Sequence, residues 1–298
     1  MKFIKRHLRN FKQERRALRK LDLTVESLVK KSFFHSRAMT SQDSLVASVP
    51  TATPTVVSLT TYSRRIHDVY LVIESIGLQT LKACKIVLWL DEKEFNLDTI
   101  PLSLQKQIER GLEVRFCKDL RSYKKLIPSL KEFPKADIIT IDDDFLYPHD
   151  LIEQLTKAKA SYPGHIIGTR AHTITFENGK VRPYKRWEYE SSYTKNGLNT
   201  FLTTGAGTLF PAGLNYQALC QEESFMALAP SADDVWVNLM CIHNGIQRMK
   251  VHDDRSYSSR FLALESNQDM ALNNKNVHDN QNDKQIEAVV NTYKIVFS

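Results

Sequence analysis

The amino-acid sequence predicts an α/β fold, a mostly parallel sheet flanked by helices and preceded by a basic amphipathic helix. Three observations lead there. Short apolar, β-branched runs alternate with segments whose apolar residues recur every three or four positions, the pattern of parallel strands joined by helices. The 298 residues, 42% hydrophobic and 25% charged with ten Gly and ten Pro, have the composition of a globular chain rather than a disordered or fibrous one. The formal charge of +7 is unevenly spread: residues 1–37 hold twelve Lys or Arg against three acids, and the remainder is close to neutral.

The N-terminal arm comes first. Ile4, Leu8, Phe11, Leu18, Leu21, Val25 and Leu28 alternate steps of three and four, with one gap at Arg15, and Lys and Arg fill much of the rest. That is a helix with a single apolar stripe over residues 1–37. Such a helix can lie on an anionic membrane surface, pair with another helix as a short coiled coil, or pack partly on its own body. Nucleic acid is a poor partner, because the arm has few aromatics and no accompanying nucleic-acid-binding fold. Residues 38–54, small and polar with Pro50 and Pro54, read as a linker.

The body, residues 55–264, alternates strictly. Thr55–Leu59 reads as a strand, and Ile66, Val69, Tyr70, Ile73 and Ile76 as a helix. Lys85–Leu90 is a second, buried strand; Leu104 and Ile108 mark a short helix; Leu112–Phe116 is a third strand. Tyr123, Leu126, Ile127, Leu130 and Phe133 form another helical stripe before the fourth strand, Asp137–Ile141, and Leu151, Ile152 and Leu155 open the next helix. Asn178-Gly179, between Thr173–Glu177 and Lys180–Tyr184, signals a two-residue hairpin. Residues 265–298 are a polar extension in which Ile286, Val289, Val290 and Tyr293 mark a short last helix. No apolar run reaches the roughly 18–20 residues needed to cross a bilayer, and the basic N-terminus lacks the apolar core of a secretory signal. The four cysteines show no zinc-ligand spacing and read as free thiols in a reducing compartment.

In parallel sheets ligands bind outside the carboxyl ends of the strands. There the fourth strand runs straight into Asp142, Asp143 and Asp144. Three adjacent carboxylates repel one another and are hard to keep ionised without a cation, and hard divalent ions such as Mg²⁺ and Mn²⁺ prefer carboxylate oxygens. The alternative is that they cap the helix beginning near His149. Asp233 and Asp234 open another helical segment, with the same alternative. Thr203–Thr208 is a small-residue turn whose Gly205 and Gly207 permit close backbone approach; it lacks a GK[ST] ending and so is no P-loop.

Several phrases share an order and spacing with a known family: SLTTY at Ser58–Tyr62, SYKKLIP at Ser122–Pro128, ITIDDD at Ile139–Asp144, RAH at Arg170–His172 and APSADDVW at Ala229–Trp236. Over Thr55 to His252 the chain resembles the GT-A fold nucleotide-sugar glycosyltransferases, family-2-like, of the bacterial surface polysaccharide type. The resemblance implies transfer of a sugar, from a UDP-linked donor, to a hydroxyl of a glycan or lipid-linked acceptor by a hexosyltransferase-type enzyme, with inversion. It implies that Ser58, Thr60 and Tyr62 border the nucleoside and that Asp91 accepts a hydrogen bond from the uracil ring. Asp142, Asp143 and Asp144 take the DXD position; Asp144, with Asp142, would hold Mn²⁺ or Mg²⁺, and His252 would complete that site. Lys124 and Lys125 would reach the base or diphosphate, one of them being a solvated helix-face lysine. Arg170 would pair with a phosphate or acidic acceptor, Gly205 and Gly207 would lie against the sugar donor, and Asp234, with Asp233 beside it, would be the general base. Trp187–Asn199 would be an acceptor-side lid. Arm charge and resemblance together imply a cytoplasmic enzyme, peripheral at the inner face of the membrane. A retaining transferase, a nucleotidyltransferase and a non-catalytic nucleotide-sugar-binding scaffold remain as alternatives; the second usually needs a Gly-rich basic loop where this chain has SLTTYSRR.

Overall fold

Each of the first four apolar runs becomes a strand, within one residue of its expected bounds: β1 (Thr55–Thr60), β2 (Lys85–Asp91), β3 (Leu112–Cys117) and β4 (Asp137–Ile141). The computed structural model describes residues 2–49, 53–190, 197, 199–264 and 280–297. Ahead of the strands stands α1 (Lys2–Thr40). Between and after them run α2 (Val69–Gly77), α3 (Leu102–Glu109), α4 (Ile127–Glu132) and α5 (Leu151–Ser161). Because a helix returns the chain across the sheet after each strand, β1 pairs in parallel with both β2 and β4, and β2 with β3.

Beyond β4 the sheet grows to seven strands. Ala206–Phe210 lies antiparallel to β4, Ile166–Gly168 lies next to it, and Arg248–Lys250 forms the far edge, parallel to 166–168. One reversed strand among seven leaves the sheet mostly parallel, as expected. β4 is buried along its whole length, so both faces must be covered. Ile73, Ile76, Leu104 and Leu155 of α2, α3 and α5 cover one face. Leu130 of α4 covers the other, together with Trp236 and Val289 of the helices Asp233–His243 and Gln281–Tyr293. The hairpin forms as expected, with Asn178 at φ +51° and Gly179 at φ +74° between two short antiparallel strands. Among the described residues no helix is long and apolar enough to cross a membrane.

Two features depart from expectation. The arm helix continues to Thr40, and its end is docked: Phe34 and Ala38 are buried, and Arg37 Nε lies 3.6 Å from Glu74 Oε2. Glu74 is wholly buried and accepts hydrogen bonds from Arg110 Nη1 (2.5 Å), Arg110 Nη2 (3.1 Å) and Gln107 Nε2 (2.9 Å). The segment expected as a linker is fastened through residue 47. Leu45 N donates to Arg110 O (2.9 Å), Ala47 N to Ala83 O (2.8 Å), and Arg110 Nε to Asp43 O (2.8 Å). The Leu45 side chain fills a notch at Gly77, where a Cβ would stand 2.4 Å from Leu45 Cδ2. Polar composition around Leu45 and Val46 hides two apolar anchors. Residues 50–52 of that segment and 265–279 of the C-terminal extension lie outside the described residues.

Candidate active site

β4 delivers Asp142, Asp143 and Asp144 into a cleft of about 890 Å³ that opens at the carboxyl ends of β1, β2 and β4. None of the three caps a helix, since α5 begins only at Leu151. Their fates differ. Asp143 is buried and accepts hydrogen bonds from Thr61 Oγ1 and Arg65 Nη1, both at 2.6 Å. Asp142 Oδ1 accepts one from Lys125 Nζ at 2.8 Å. Its other oxygen rests against the chain at Gly205, where a Cβ would stand 1.7 Å from Oδ2; only glycine leaves that room. The Tyr147 hydroxyl ties the same corner, accepting from Asp142 N (2.8 Å) and donating to Gly205 O (2.5 Å). Asp144 Oδ2 is 3.4 Å from Arg65 Nη2, whereas Asp144 Oδ1 is buried with no hydrogen-bond partner. Burial, then the charges of Asp142 and Asp143, push the Asp144 carboxyl up to about 7. Burial also raises Asp143, against the opposing Arg65 and Thr61.

The facing wall is the first turn of the Asp233–His243 helix, whose N-cap position is Ala232, so neither Asp233 nor Asp234 serves as a cap. Asp233 Oδ2 lies 3.0 Å from Lys125 Nζ and accepts from Thr204 Oγ1 at 2.7 Å. Burial works against its charge, but the Lys125 charge together with hydrogen bonding outweighs it and the carboxyl is lowered. Asp234 Oδ1 accepts from Thr204 N at 2.8 Å and stands 2.6 Å from the same Thr204 hydroxyl. One hydroxyl proton cannot serve two carboxylates at once, so a proton held on Asp234 relieves the pair. Burial and the neighbouring Asp233 charge accordingly raise Asp234 to about 6. Lys125 is fully enclosed between Asp142 and Asp233, and these charges hold its ammonium well above the usual lysine range.

A third wall is aromatic. His172, Tyr184, Tyr189, Phe201 and Tyr257 line it, with the Arg170 guanidinium 4.5 Å from the Tyr257 ring centre and 3.3 Å from Glu190 Oε1. Burial, aided by Arg170, drives His172 down to about 3, so it stays neutral, and its Nδ1 accepts from Glu190 N. Trp187, expected in a lid, is a buried anchor whose Nε1 donates to Arg182 O. Most of that stretch, residues 191–196 and 198, lies outside the described residues.

Thr60, Tyr62, Asp91, Lys124, Lys125, Asp142, Asp143, Asp144, Arg170, Gly205, Asp233 and Asp234 therefore share one cleft. Three expected residues do not line it. Ser58 is buried in β1 against the Ser129 hydroxyl, which also accepts from Trp89 Nε1. Gly207 sits at φ +91° where the pairing with β4 slips, and a Cβ there would strike Leu151; it serves a β-bulge. His252 follows the edge strand, three strands or about 14 Å from β4. Its imidazole is 60% exposed and pairs with Asp254. The solvated lysine is also absent: Lys124 and Lys125 are both buried, Lys124 Nζ bonding Asp119 Oδ1 at 2.8 Å. Asp91 does two things, accepting from Lys93 N in a turn while lining the cleft. Arg65 and Tyr147 complete the site without a local sequence signal, while Thr61 and Thr204 lie in the SLTTY phrase and the Thr203–Thr208 turn but carry no individual expectation.

Among the described residues no group of three or more His, Cys, Asp or Glu is placed to hold a metal ion. A Mg²⁺ or Mn²⁺ site asks for less, one or two carboxylates completed by water and phosphate. Asp144, with its unpartnered buried oxygen, and Asp142 beside it fit that requirement.

No family model matches the chain, and no curated protein matches it. Among solved structures it is similar to a mannosyltransferase from Pyrobaculum calidifontis in complex with GDP-Man and Mn²⁺, at 14% identity and a TM-score of 0.44 over 78% of this chain and 65% of that one. It is similar to S. aureus TarS 1–349 in complex with UDP at 13% identity and a TM-score of 0.46, over 68% and 59%. Likeness to CMP:2-keto-3-deoxy-manno-octonic acid synthetase complexed with CTP is 11% identity and a TM-score of 0.41, over 67% and 90%. The chain thus spans less than two thirds of the first two.

Proposed function

We propose that this chain is an inverting glycosyltransferase, moving a sugar from a nucleoside diphosphate sugar, UDP-linked, to a hydroxyl of a glycan or lipid-linked acceptor. One observation carries the reading: a single cleft sets crowded carboxylates at the end of β4 against Asp234 on the facing helix, a buried carboxyl raised to about 6. The first group suits a phosphorylated ligand held through a cation. The second suits removal of a proton from a neutral hydroxyl near neutral pH.

Each residue has work in this scheme. Tyr62, Thr60 and Asp91 border the nucleoside, Asp91 offering its carboxylate to a uracil N–H. Asp142 and Asp144 would hold Mg²⁺ or Mn²⁺, which when bound stabilises negative charge developing on the leaving diphosphate. Asp234 accepts the proton of the acceptor hydroxyl as that oxygen attacks the anomeric carbon. The bond to the diphosphate breaks on the opposite face, and its electron pair leaves with the nucleoside diphosphate. Asp233, kept ionised by Lys125, holds Thr204 and so fixes Asp234. Tyr184, Tyr189 and Tyr257 offer ring surface to a sugar, and neutral His172 beside them does not compete for the proton.

The test is turnover. The protein is incubated with Mn²⁺ and a panel of nucleotide sugars, and nucleoside diphosphate release is measured with the anomer of the product read by proton NMR. Release of inverted product that is lost in Asp234→Asn supports the proposal. Binding of UDP without release from any donor rejects it, and pyrophosphate release from a nucleoside triphosphate would assign nucleotidyl transfer instead.

A further inference from the structure

α1 is amphipathic, yet it does not turn its apolar stripe toward the body. Phe11, Leu18, Leu21, Val25, Leu28 and Phe33 are each at least half exposed. The side that packs on the body is another one, carrying Leu23, Phe34 and Ala38. With 3.6 residues per turn, the two sets fall on broadly opposite sides of the helix. A surface helix normally buries its stripe against its own core, so this one is built to be covered by something else.

The geometry points to an anionic lipid surface as what covers it, with α1 lying along the bilayer and the body held on the far side. Charge argues for that occupant. Residues 1–37 carry nine more positive than negative side chains while the rest of the chain is near neutral, so the positive surplus travels with the exposed stripe. An apolar face combined with Lys and Arg is what an interfacial helix uses on anionic lipid. Pairing with a second α1 is the poorer match: it would bring two cationic helices together. Glu14, Arg15 and Asp22 are also exposed between stripe positions, where a two-in-seven seam wants apolar residues.

The docking would be rigid. The Arg37, Glu74 and Arg110 network and the Leu45 anchor tie the end of α1 into the body, so the helix is a fixed extension and not a leash. A helix seated on a membrane would therefore set the tilt of the whole body. This proposal does not depend on the transfer reaction.

Vesicle co-sedimentation of the full chain tests it. Phosphatidylcholine vesicles containing phosphatidylglycerol should bind the protein, pure phosphatidylcholine vesicles should not, and added salt should weaken binding. The double variant Leu21→Glu, Leu28→Glu should lower the vesicle affinity by about tenfold or more, with its melting temperature and donor turnover unchanged. Equal binding by that variant, or equal binding to neutral vesicles, overturns the proposal. So does light scattering that finds a wild-type dimer, a monomeric variant and no vesicle binding by either; the stripe would then belong to a second copy.

Discussion

Thr204 places one hydroxyl proton between Asp233 Oδ2 and Asp234 Oδ1, at 2.7 and 2.6 Å, and this small fact divides the labour of the two acids. Lys125 keeps Asp233 charged, so the extra proton resides on Asp234, which loses it near pH 6. As a general base Asp234 must be ionised, so with Mn²⁺ and donor saturating kcat should fall as pH drops through about 6. Asp234→Asn keeps the shape and removes the base; kcat should fall by roughly 10²–10⁴-fold with donor affinity little changed, and the residual rate should lack the acid limb. A rate–pH profile of nucleoside diphosphate release from pH 5 to 8 reads both effects. A second residue-scale expectation concerns Gly205. Adding a methyl there would drive it into the Asp142 carboxylate, 1.7 Å from where the Cβ must go. Gly205→Ala should therefore weaken cation-dependent donor binding, by about tenfold or more if displaced Asp142 loses one charge-assisted contact. Isothermal titration with UDP and Mn²⁺ measures this, and unchanged affinity would show that Asp142 is not part of the donor site.

At the scale of elements, what periodicity encodes was legible and what topology brings together was not. Asp137–Ile141 was readable to the residue, because a run of β-branched side chains ending in charge has little else to be. Arg65 and Asp143 stand 78 residues apart, and no window of sequence joins them; their meeting depends on β1 and β4 being neighbours. His252 shows the same limit: the sequence places a histidine after a late strand, but only the topology shows that Arg248–Lys250 is the sheet's edge, with His252 outside the cleft lining. The segment after α1 misled through composition, since one leucine in a notch outweighs its polar surroundings. Its strength can be tested at Glu74, which is fully buried and answers Arg110. Removing one partner of such a pair leaves an uncompensated buried charge. Glu74→Gln should lower stability by about 3–5 kcal/mol in urea denaturation. A loss within about 0.5 kcal/mol, as for an ordinary surface substitution, would mean that α1 and the segment after it are not pinned there.

For the molecule as a whole, the cost of the cleft is written in Asp144. Its carboxyl sits near 7 in the folded chain against an ordinary value of 3.8, so the folded form holds that proton more tightly than the unfolded form does. Between about pH 4 and pH 7 this carboxyl binds more proton in the folded state, so its own contribution to stability falls as pH rises through that window. Below it, both states are protonated; above it, both are charged and the loss is complete. Asp144→Asn removes the charge and leaves the shape, so at pH 7.5 without divalent ions it should melt higher than the wild type. The gain expected is about 2–4 °C for each kcal/mol of relieved repulsion in a chain of this size, and its melting temperature should decline less between pH 4 and 7 than that of the wild type, the raised Asp234 carboxyl keeping part of the slope. Adding Mn²⁺ should raise the wild-type melting temperature, because a cation on the unpartnered Asp144 oxygen relieves the same crowding. It should not raise that of the variant, which should also have lost nucleoside diphosphate release. Calorimetric scans of both proteins in chelator and in Mn²⁺ decide the matter. If the variant melts lower, or gains as much from Mn²⁺ as the wild type, then the three aspartates are held by Arg65 and Lys125 as structural ion pairs and the cation site lies elsewhere.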